Sequence, residues 1–146
     1  MDKNGKKISR RRMKEDIERP KVINVGVAMV KERSETNEWE WNAYVFNLRD
    51  EVITNVLVSS RGYGEQNGEK KNTTVLRHFI EDVDSLDFKK IEPVIPDVFE
   101  LTNEYWVSFY VDGVIHDKKF VFVKGSITED NMLDMPFMNS KGVMIR

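Results

Sequence analysis

The stretch EYWVSFYVDGVIHDKKFVFV, residues 104–123, decides the fold class of this chain. Two runs rich in aromatic and β-branched residues flank the pair Asp112-Gly113, and such runs are typical of β-strands. Asp-Gly is one of the pairs that a two-residue type I′ turn requires, because both turn positions need a positive φ. The sequence therefore predicts two antiparallel strands joined by a tight turn.

Similar strand patterns precede this hairpin. In VINVGVAMVKER, residues 22–33, apolar residues recur at the period of two that a strand requires. The run EWEWNAYVFNL, residues 38–48, has apolar residues on both of its faces, so we expect both faces of this second strand to be partly covered. The segment VITNVLVSS, residues 52–60, predicts a third strand with Val56 and Val58 as core positions.

The middle of the chain alternates between polar and strand-like segments. The segment RGYGEQNGEKKN, residues 61–72, contains three glycines and predicts the longest loop of the domain. Residues 73–80 and 88–94 then have the composition of two further strands. Because Pro93 and Pro96 cannot donate a ladder hydrogen bond, we expect the second of these segments at a sheet edge or at a strand end.

The C-terminal segment has two weaker signals. Ser126 and Glu129 have the spacing of a helix capping box, which predicts a helical turn or two before Pro136. Residues 142–146 are apolar enough for a short final strand.

These elements indicate one domain over residues 21–146. About seven strands, short connections and no long amphipathic helix predict an all-β fold, an antiparallel two-sheet sandwich of immunoglobulin-like type with a short C-terminal helical turn. A β-barrel is the alternative.

The N-terminal residues 1–20 have a different character. They lack apolar periodicity, so we expect a disordered basic tail. Residues 1–21 carry nine Lys or Arg and four Asp or Glu, a net charge of +5, whereas the remainder carries −7. Basic arms bind polyanions by counterion release, although many only keep a protein in solution. The candidate polyanion-binding residues are Lys6, Lys7, Arg10, Arg11 and Arg12.

The composition argues against several classes of site. The chain has no cysteine, so disulfides, thiolate chemistry and sulfur-based zinc sites are excluded. Its two histidines, His78 and His116, lie on separate strands without clustered carboxylates, so we expect no metal site. We find no nucleotide-binding glycine motif and no recognisable catalytic constellation, and we expect neither a cofactor nor an enzyme. No apolar run approaches the ~20 residues of a membrane span, which favours a cytoplasmic protein.

Two groups of residues are candidates for binding a partner. The residues Arg61, Tyr63, Lys70 and Lys71 place three cations around one aromatic ring, which suits a base or an acidic peptide. The second group comprises Trp39 and Trp41, which share one face of a strand and with Tyr44 and Trp106 could form an aromatic platform. The alternatives are a plain connecting loop and ordinary core residues.

Several segments from residue 21 onward carry a resemblance, namely NVGVAMVKE, SSRGYGEQNGEKK, LRHF, KIEPVI, NEYWVSFYV and KGVMIR. On these segments the chain resembles a family of short uncharacterised bacterial proteins, some of which are labelled phenylalanyl-tRNA synthetase alpha subunit. A class II synthetase requires a motif 2 arginine followed by a glutamate and a glycine-rich motif 3 ending in arginine. Neither motif is recognisable here, so the resemblance implies at most an accessory, tRNA-contacting role and the label is a misannotation for catalysis.

The function that we expect first is that of a non-catalytic interaction module, which presents loops and an aromatic strand face to another protein. The alternative is an RNA- or tRNA-associated accessory protein that uses the basic tail and residues 61–71.

Overall fold

The computed structural model describes residues 20–146, and this part of the chain is built almost entirely of β-strands. It contains ten strands: β1 (Val25–Arg33), β2 (Trp39–Asn47), β3 (Ile53–Gln66), β4 (Glu69–Asn72), β5 (Leu76–Val83), β6 (Asp87–Val94), β7 (Thr102–Val111), β8 (Val114–Phe122), β9 (Leu133–Asp134) and β10 (Lys141–Ile145). Two short 3-10 helices lie at Pro96–Glu100 and Glu129–Asn131. The expected basic tail lies outside the described residues.

The strands form two antiparallel sheets. Sheet A has the order β6-β2-β1-β10-β9, and sheet B has the order β4-β3-β7-β8. Strand β5 also pairs with β3, so β4 and β5 occupy successive parts of the same edge of sheet B. The predicted antiparallel two-sheet sandwich is therefore confirmed, and β6 lies at a sheet edge as its prolines predicted.

The main core fills the space between the two sheets. Alternate residues of β1, β7 and β8 point into it, and Val56 and Val58 of β3 are fully buried, as the sequence predicted. The largest side chains in this core are Phe109, Phe120 and Phe122 of β7 and β8. Removing such apolar area from water stabilises the fold by roughly 25 cal/mol per Å².

A second, smaller core covers the outer face of sheet A. Here Ala28, Val30 and Phe46 pack with Met135, which lies on the segment between β9 and β10. This cover explains why six successive residues of β1 are buried, since each face of the strand contacts a core. The expectation that both faces of the second strand would be covered is confirmed.

Two tight turns of the same kind join strands of sheet B. At Asp112-Gly113 the φ angles are 50° and 76°, and the predicted hairpin of β7 and β8 is present. At Asn67-Gly68 they are 55° and 80°, and this turn joins β3 to β4. The predicted loop over residues 61–72 is therefore wrong. Asn-Gly favours the type I′ turn, and the segment is polar because every residue of β4 is exposed.

The C-terminal segment corrects a second expectation. Instead of one or two helical turns there is a 3-10 helix of three residues, and Thr128 precedes it without capping it through its side chain. The hydroxyl of Ser126 donates to the carbonyl oxygen of Val123 at 2.7 Å, so it does not form the predicted capping box. The predicted final strand is present as β10, and the count of about seven strands was too low because β4 and the two-residue β9 were not recognised.

Candidate functional site

The outer face of sheet B exposes a group of large apolar side chains. Leu57, Phe79, Trp106 and Tyr110 are 44%, 62%, 48% and 38% exposed, and we call these four residues the aromatic face. The cross-strand register brings them together, because Leu57 lies opposite Phe79 on one side and opposite Ser108 of β7 on the other. An exposed apolar group on one sheet face is a feature of interaction surfaces.

A buried carboxylate organises the charges beside the aromatic face. Glu104 of β7 points to the same outer side of the sheet, yet its side chain is only 9% exposed. Its carboxylate lies 3.2 Å from Arg61 Nε and 3.8 Å from Lys119 Nζ. Arg61 in turn stacks 4.9 Å from the ring centre of Tyr63, and Lys119 lies 5.1 Å from that of Trp106. Glu104 thus holds two cations against two aromatic rings.

The hairpin of β3 and β4 divides the first predicted group of binding residues. Lys70 lies opposite Glu65, so it shares the outer side of sheet B with Tyr63 and Arg61. Lys71 lies opposite Gly64 and therefore points to the other side. A shallow pocket of about 330 Å³ touches Tyr63 and both lysines. The expected set of three cations around one ring is reduced to Arg61 stacked on Tyr63.

The second predicted group is also divided by the fold. Trp41 packs edge-on against Phe99 at 5.1 Å and is half-buried, whereas Trp39 at the start of β2 is 58% exposed. Trp106 belongs to the other sheet, and Tyr44 packs into the second core on the opposite face of β2. The expected common platform of these four rings is therefore absent.

A polar cluster between the two sheets was not predicted from the sequence. Glu92 of β6 accepts hydrogen bonds from Tyr105 Oη at 2.8 Å and from Ser60 Oγ at 3.1 Å, and it pairs with His78 Nε2 at 2.7 Å. The three partners come from β7, β3 and β5 of sheet B. One carboxylate on sheet A is thus held by three side chains of the opposite sheet.

The protonation of Tyr105 follows from this environment. Burial raises the pKa of the Tyr105 phenol strongly, and the charge of Glu92 and the hydrogen bond to it raise the pKa further. The phenol is therefore a fixed hydrogen-bond donor in neutral solution and not a nucleophile.

The chemistry of the cluster is limited by its geometry. Ser60 and His78 both bond to the same oxygen of Glu92, and among the described residues no hydrogen bond joins the hydroxyl to the imidazole. A serine nucleophile needs an adjacent base, so the arrangement suits binding better than acyl transfer.

One sequence signal indicates the cluster in retrospect. Buried alternation on β3 runs from Val56 through Val58 to Ser60, and on β7 from Phe109 through Val107 to Tyr105. Because the inward-facing positions of these two strands end in the hydroxyl-bearing residues Ser60 and Tyr105, the sequence indicates that this end of the core is polar.

Known proteins and families do not identify a function for these sites. No protein-family model matches the chain, and no curated protein matches it. Within residues 20–146 no group of three His, Cys, Asp or Glu side chains is placed to hold a metal ion. In the same range no helix has the length and apolar character needed to cross a membrane. The predicted polyanion-binding residues Lys6, Lys7, Arg10, Arg11 and Arg12 lie outside it.

Proposed function

We propose that this chain is a non-catalytic protein-interaction module whose partner binds on the aromatic face. The observation that carries the proposal is the exposure of Trp106 on the inner strand β7 and of Phe79 on the edge strand β5, both on the outer face of sheet B. Trp is among the residues that contribute most to binding energy at interfaces. Exposed Trp and Phe side chains on one sheet face are otherwise a solubility cost.

Three of the four sheet edges are poorly suited to pairing with a further strand, which favours a partner that binds on the face. On the edge strand β8, Lys118 lies opposite Val107 and so occupies an inward position, a device that blocks pairing with a further strand. The edge strand β6 contains Pro93, and the edge strand β9 has only two residues. These features disfavour strand addition at β6, β8 and β9 and favour docking on a sheet face.

We further infer that the sandwich is immunoglobulin-like and that the module acts in the cytoplasm. Two packed antiparallel sheets support the first inference. The cysteine-free sequence supports the second, because it suits a reducing compartment.

The test is capture of partners from native lysate with a double variant, Phe79→Ser with Trp106→Ser. The matched control is Trp39→Ser, which removes an exposed Trp from sheet A. We expect the double variant to lose partners that the wild type and the control retain, with unchanged thermal melts for all three. Retention of the same partners by the double variant would show that the aromatic face is not the interface.

A second candidate function is an RNA- or tRNA-associated accessory role, in which the basic tail and residues 61–71 contact phosphates and bases. The stacking of Arg61 on Tyr63 favours it, since such pairs also receive nucleic-acid bases. The family that the chain resembles agrees with this candidate through its synthetase label.

Titration of labelled tRNA at several salt concentrations tests this second candidate. Each phosphate contact with a single strand contributes about 0.7 to the slope of log K against log salt. Replacing Arg10, Arg11 and Arg12 by Ala should therefore make the slope shallower, reducing its magnitude by about two. Binding without any salt dependence would count against the RNA role.

A further inference from the structure

A pocket of about 320 Å³ opens between the two sheets beside the polar cluster. Residues of the connection from β4 to β5 and of the end of β6 line it. Five apolar side chains contribute to its walls, namely Leu76, Pro93, Val94, Ile95 and Val98. Glu92 and Asn103 supply polar side chains inside it. The pocket thus combines an apolar channel with a polar inner end.

The carboxylate of Glu92 retains capacity for one more hydrogen bond. Two carboxylate oxygens together have about four acceptor sites, and Tyr105, Ser60 and His78 use three of them. Because Glu92 lines the pocket, the remaining site is available to a donor that enters from the mouth.

Asn103 provides a second acceptor. Its residue is only 6% exposed, and its Nδ2 donates to the carbonyl oxygens of Val98 at 2.8 Å and Leu101 at 3.1 Å. These two bonds fix the orientation of the amide. The Oδ1 atom lies 3.2 Å from the position that a Cβ atom would take at Gly62. A glycine at this position therefore keeps the space beside the amide oxygen open.

The charge of the side chains that line the pocket indicates which charge its ligand carries. The Glu92 carboxylate is 12% exposed, and the side chains that contact it are the hydroxyls of Tyr105 and Ser60 and the imidazole of His78. Although Arg61 also borders the pocket, its guanidinium pairs with Glu104 on the outer side of sheet B. A carboxylate removed from water is unfavourable unless a cation compensates it, so a cationic donor gains more here than a neutral or anionic group.

We propose that this pocket binds a small primary alkylammonium group. The ammonium donates to Glu92 and Asn103, and the alkyl chain lies against Leu76, Val94 and Val98. The group can belong to a free amine or to a lysine side chain of another protein, because both present the same head and stem. The site is separate from the aromatic face, so this proposal can be tested independently of the proposed function.

The experiment is a titration of the full chain followed by amide NMR shifts. The probes are butylammonium chloride, its neutral counterpart 1-butanol, and sodium chloride as an ionic-strength control. We expect saturable shifts at Ser60 and Asn103 with butylammonium alone. A parallel titration with Nα-acetyl-lysine amide distinguishes the sources: tighter binding than butylammonium indicates a lysine side chain, and weaker binding indicates a free amine. Equal shifts with 1-butanol, or no saturable shift with either amine, would overturn the proposal.

Two variants test the site through different atoms. Glu92→Gln removes the charge and should weaken butylammonium binding about tenfold or more, since a charged hydrogen bond is lost. Gly62→Ala narrows the pocket and leaves Glu92 unchanged. It should also weaken butylammonium binding, because Asn103 and Thr73 lie 3.2 Å from the new methyl group. The control is Glu100→Gln, an exposed carboxylate outside the pocket. If Glu92→Gln fails to fold, Gly62→Ala decides, and unchanged affinity in the folded variants refutes the site.

Discussion

The hydroxyl of Tyr105 on sheet B donates a hydrogen bond of 2.8 Å to Glu92 on sheet A, so one side-chain contact ties the two sheets together inside the sandwich. His78 makes a second such contact from β5 to the same carboxylate. Both contacts lie at one end of the core, where the packing changes from apolar to polar. The stability of the fold there depends on the charge of one carboxylate and on the protons of its partners.

Replacing Tyr105 by Phe should change how stability depends on alkaline pH. The folded pKa of Tyr105 is raised above its ordinary value of 10.0, so its contribution is complete below pH 10 and is lost as the pH rises further. We expect Tyr105→Phe to lower the free energy of unfolding at pH 7 by about 1.5–3 kcal/mol, the value of a hydrogen bond to a charged group. Above pH 10 its stability should fall less steeply than that of the wild type. Urea unfolding from pH 7 to pH 11 measures both effects.

The control for this measurement is Tyr110→Phe, which alters an exposed phenol on the outer face of the same strand. An alkaline slope for Tyr105→Phe equal to that of the wild type would show that the buried phenol does not govern the transition.

Replacing Gly142 by Ala should destabilise the pairing of β10 with β1. A Cβ atom at this position would lie 3.0 Å from Val30 Cα and even closer to the carbonyl oxygen of Met29. Both are backbone atoms of the neighbouring strand and cannot move aside, so we expect a loss of about 1–3 kcal/mol. Gly26→Ala is the comparison, because its nearest neighbour is the flexible Met144 Sδ at 3.0 Å. Thermal melts should rank Gly26→Ala as the milder change, and the reverse order would contradict the argument.

Truncating Met135 to Ala should test whether the second core contributes to folding. Met135 is 7% exposed and packs with Phe46, Ala28 and Val30. Removing a buried side chain of this size costs about 2–5 kcal/mol. Met132→Ala, at a less buried methionine just before β9, should cost clearly less. Equal and small losses in chemical denaturation would mean that the segment lies loosely on sheet A.

A bulky substitution at the Asn67-Gly68 turn should weaken the hairpin of β3 and β4. Gly68 has a φ of 80°, which side chains of L-residues adopt at a cost of roughly 1–2 kcal/mol. No atom lies within 4 Å of the added Cβ, so backbone strain is the expected cause of any loss in Gly68→Val. The control is Gln66→Val, on the strand before the turn. A Gly68→Val melt at or above that of Gln66→Val would argue against the strained turn.

Local patterns were sufficient for most of the strands. The hairpin at Asp112-Gly113 depends on residues adjacent in sequence, and the edge position of β6 depends on Pro93 alone. The same rule applied to Asn67-Gly68 would have identified β4. Three glycines and the near absence of apolar residues in this segment predict a loop instead, which conceals the turn.

The binding residues were harder to predict. A period of two shows which side chains share a face, but it does not show which face another segment covers. Trp106 and Tyr105 are neighbours with the same composition signal, yet one is 48% exposed and the other 2%.

The sequence by itself determined that this chain forms antiparallel strands with a tight turn at Asp112-Gly113, because strand period and turn chemistry act between residues close in sequence. Only the tertiary structure decided that Met135 covers the outer face of sheet A and that Ser60, His78 and Tyr105 meet at Glu92. The contacts within the cluster join residues that are 13 to 32 positions apart in the sequence, and their geometry depends on how the two sheets pack.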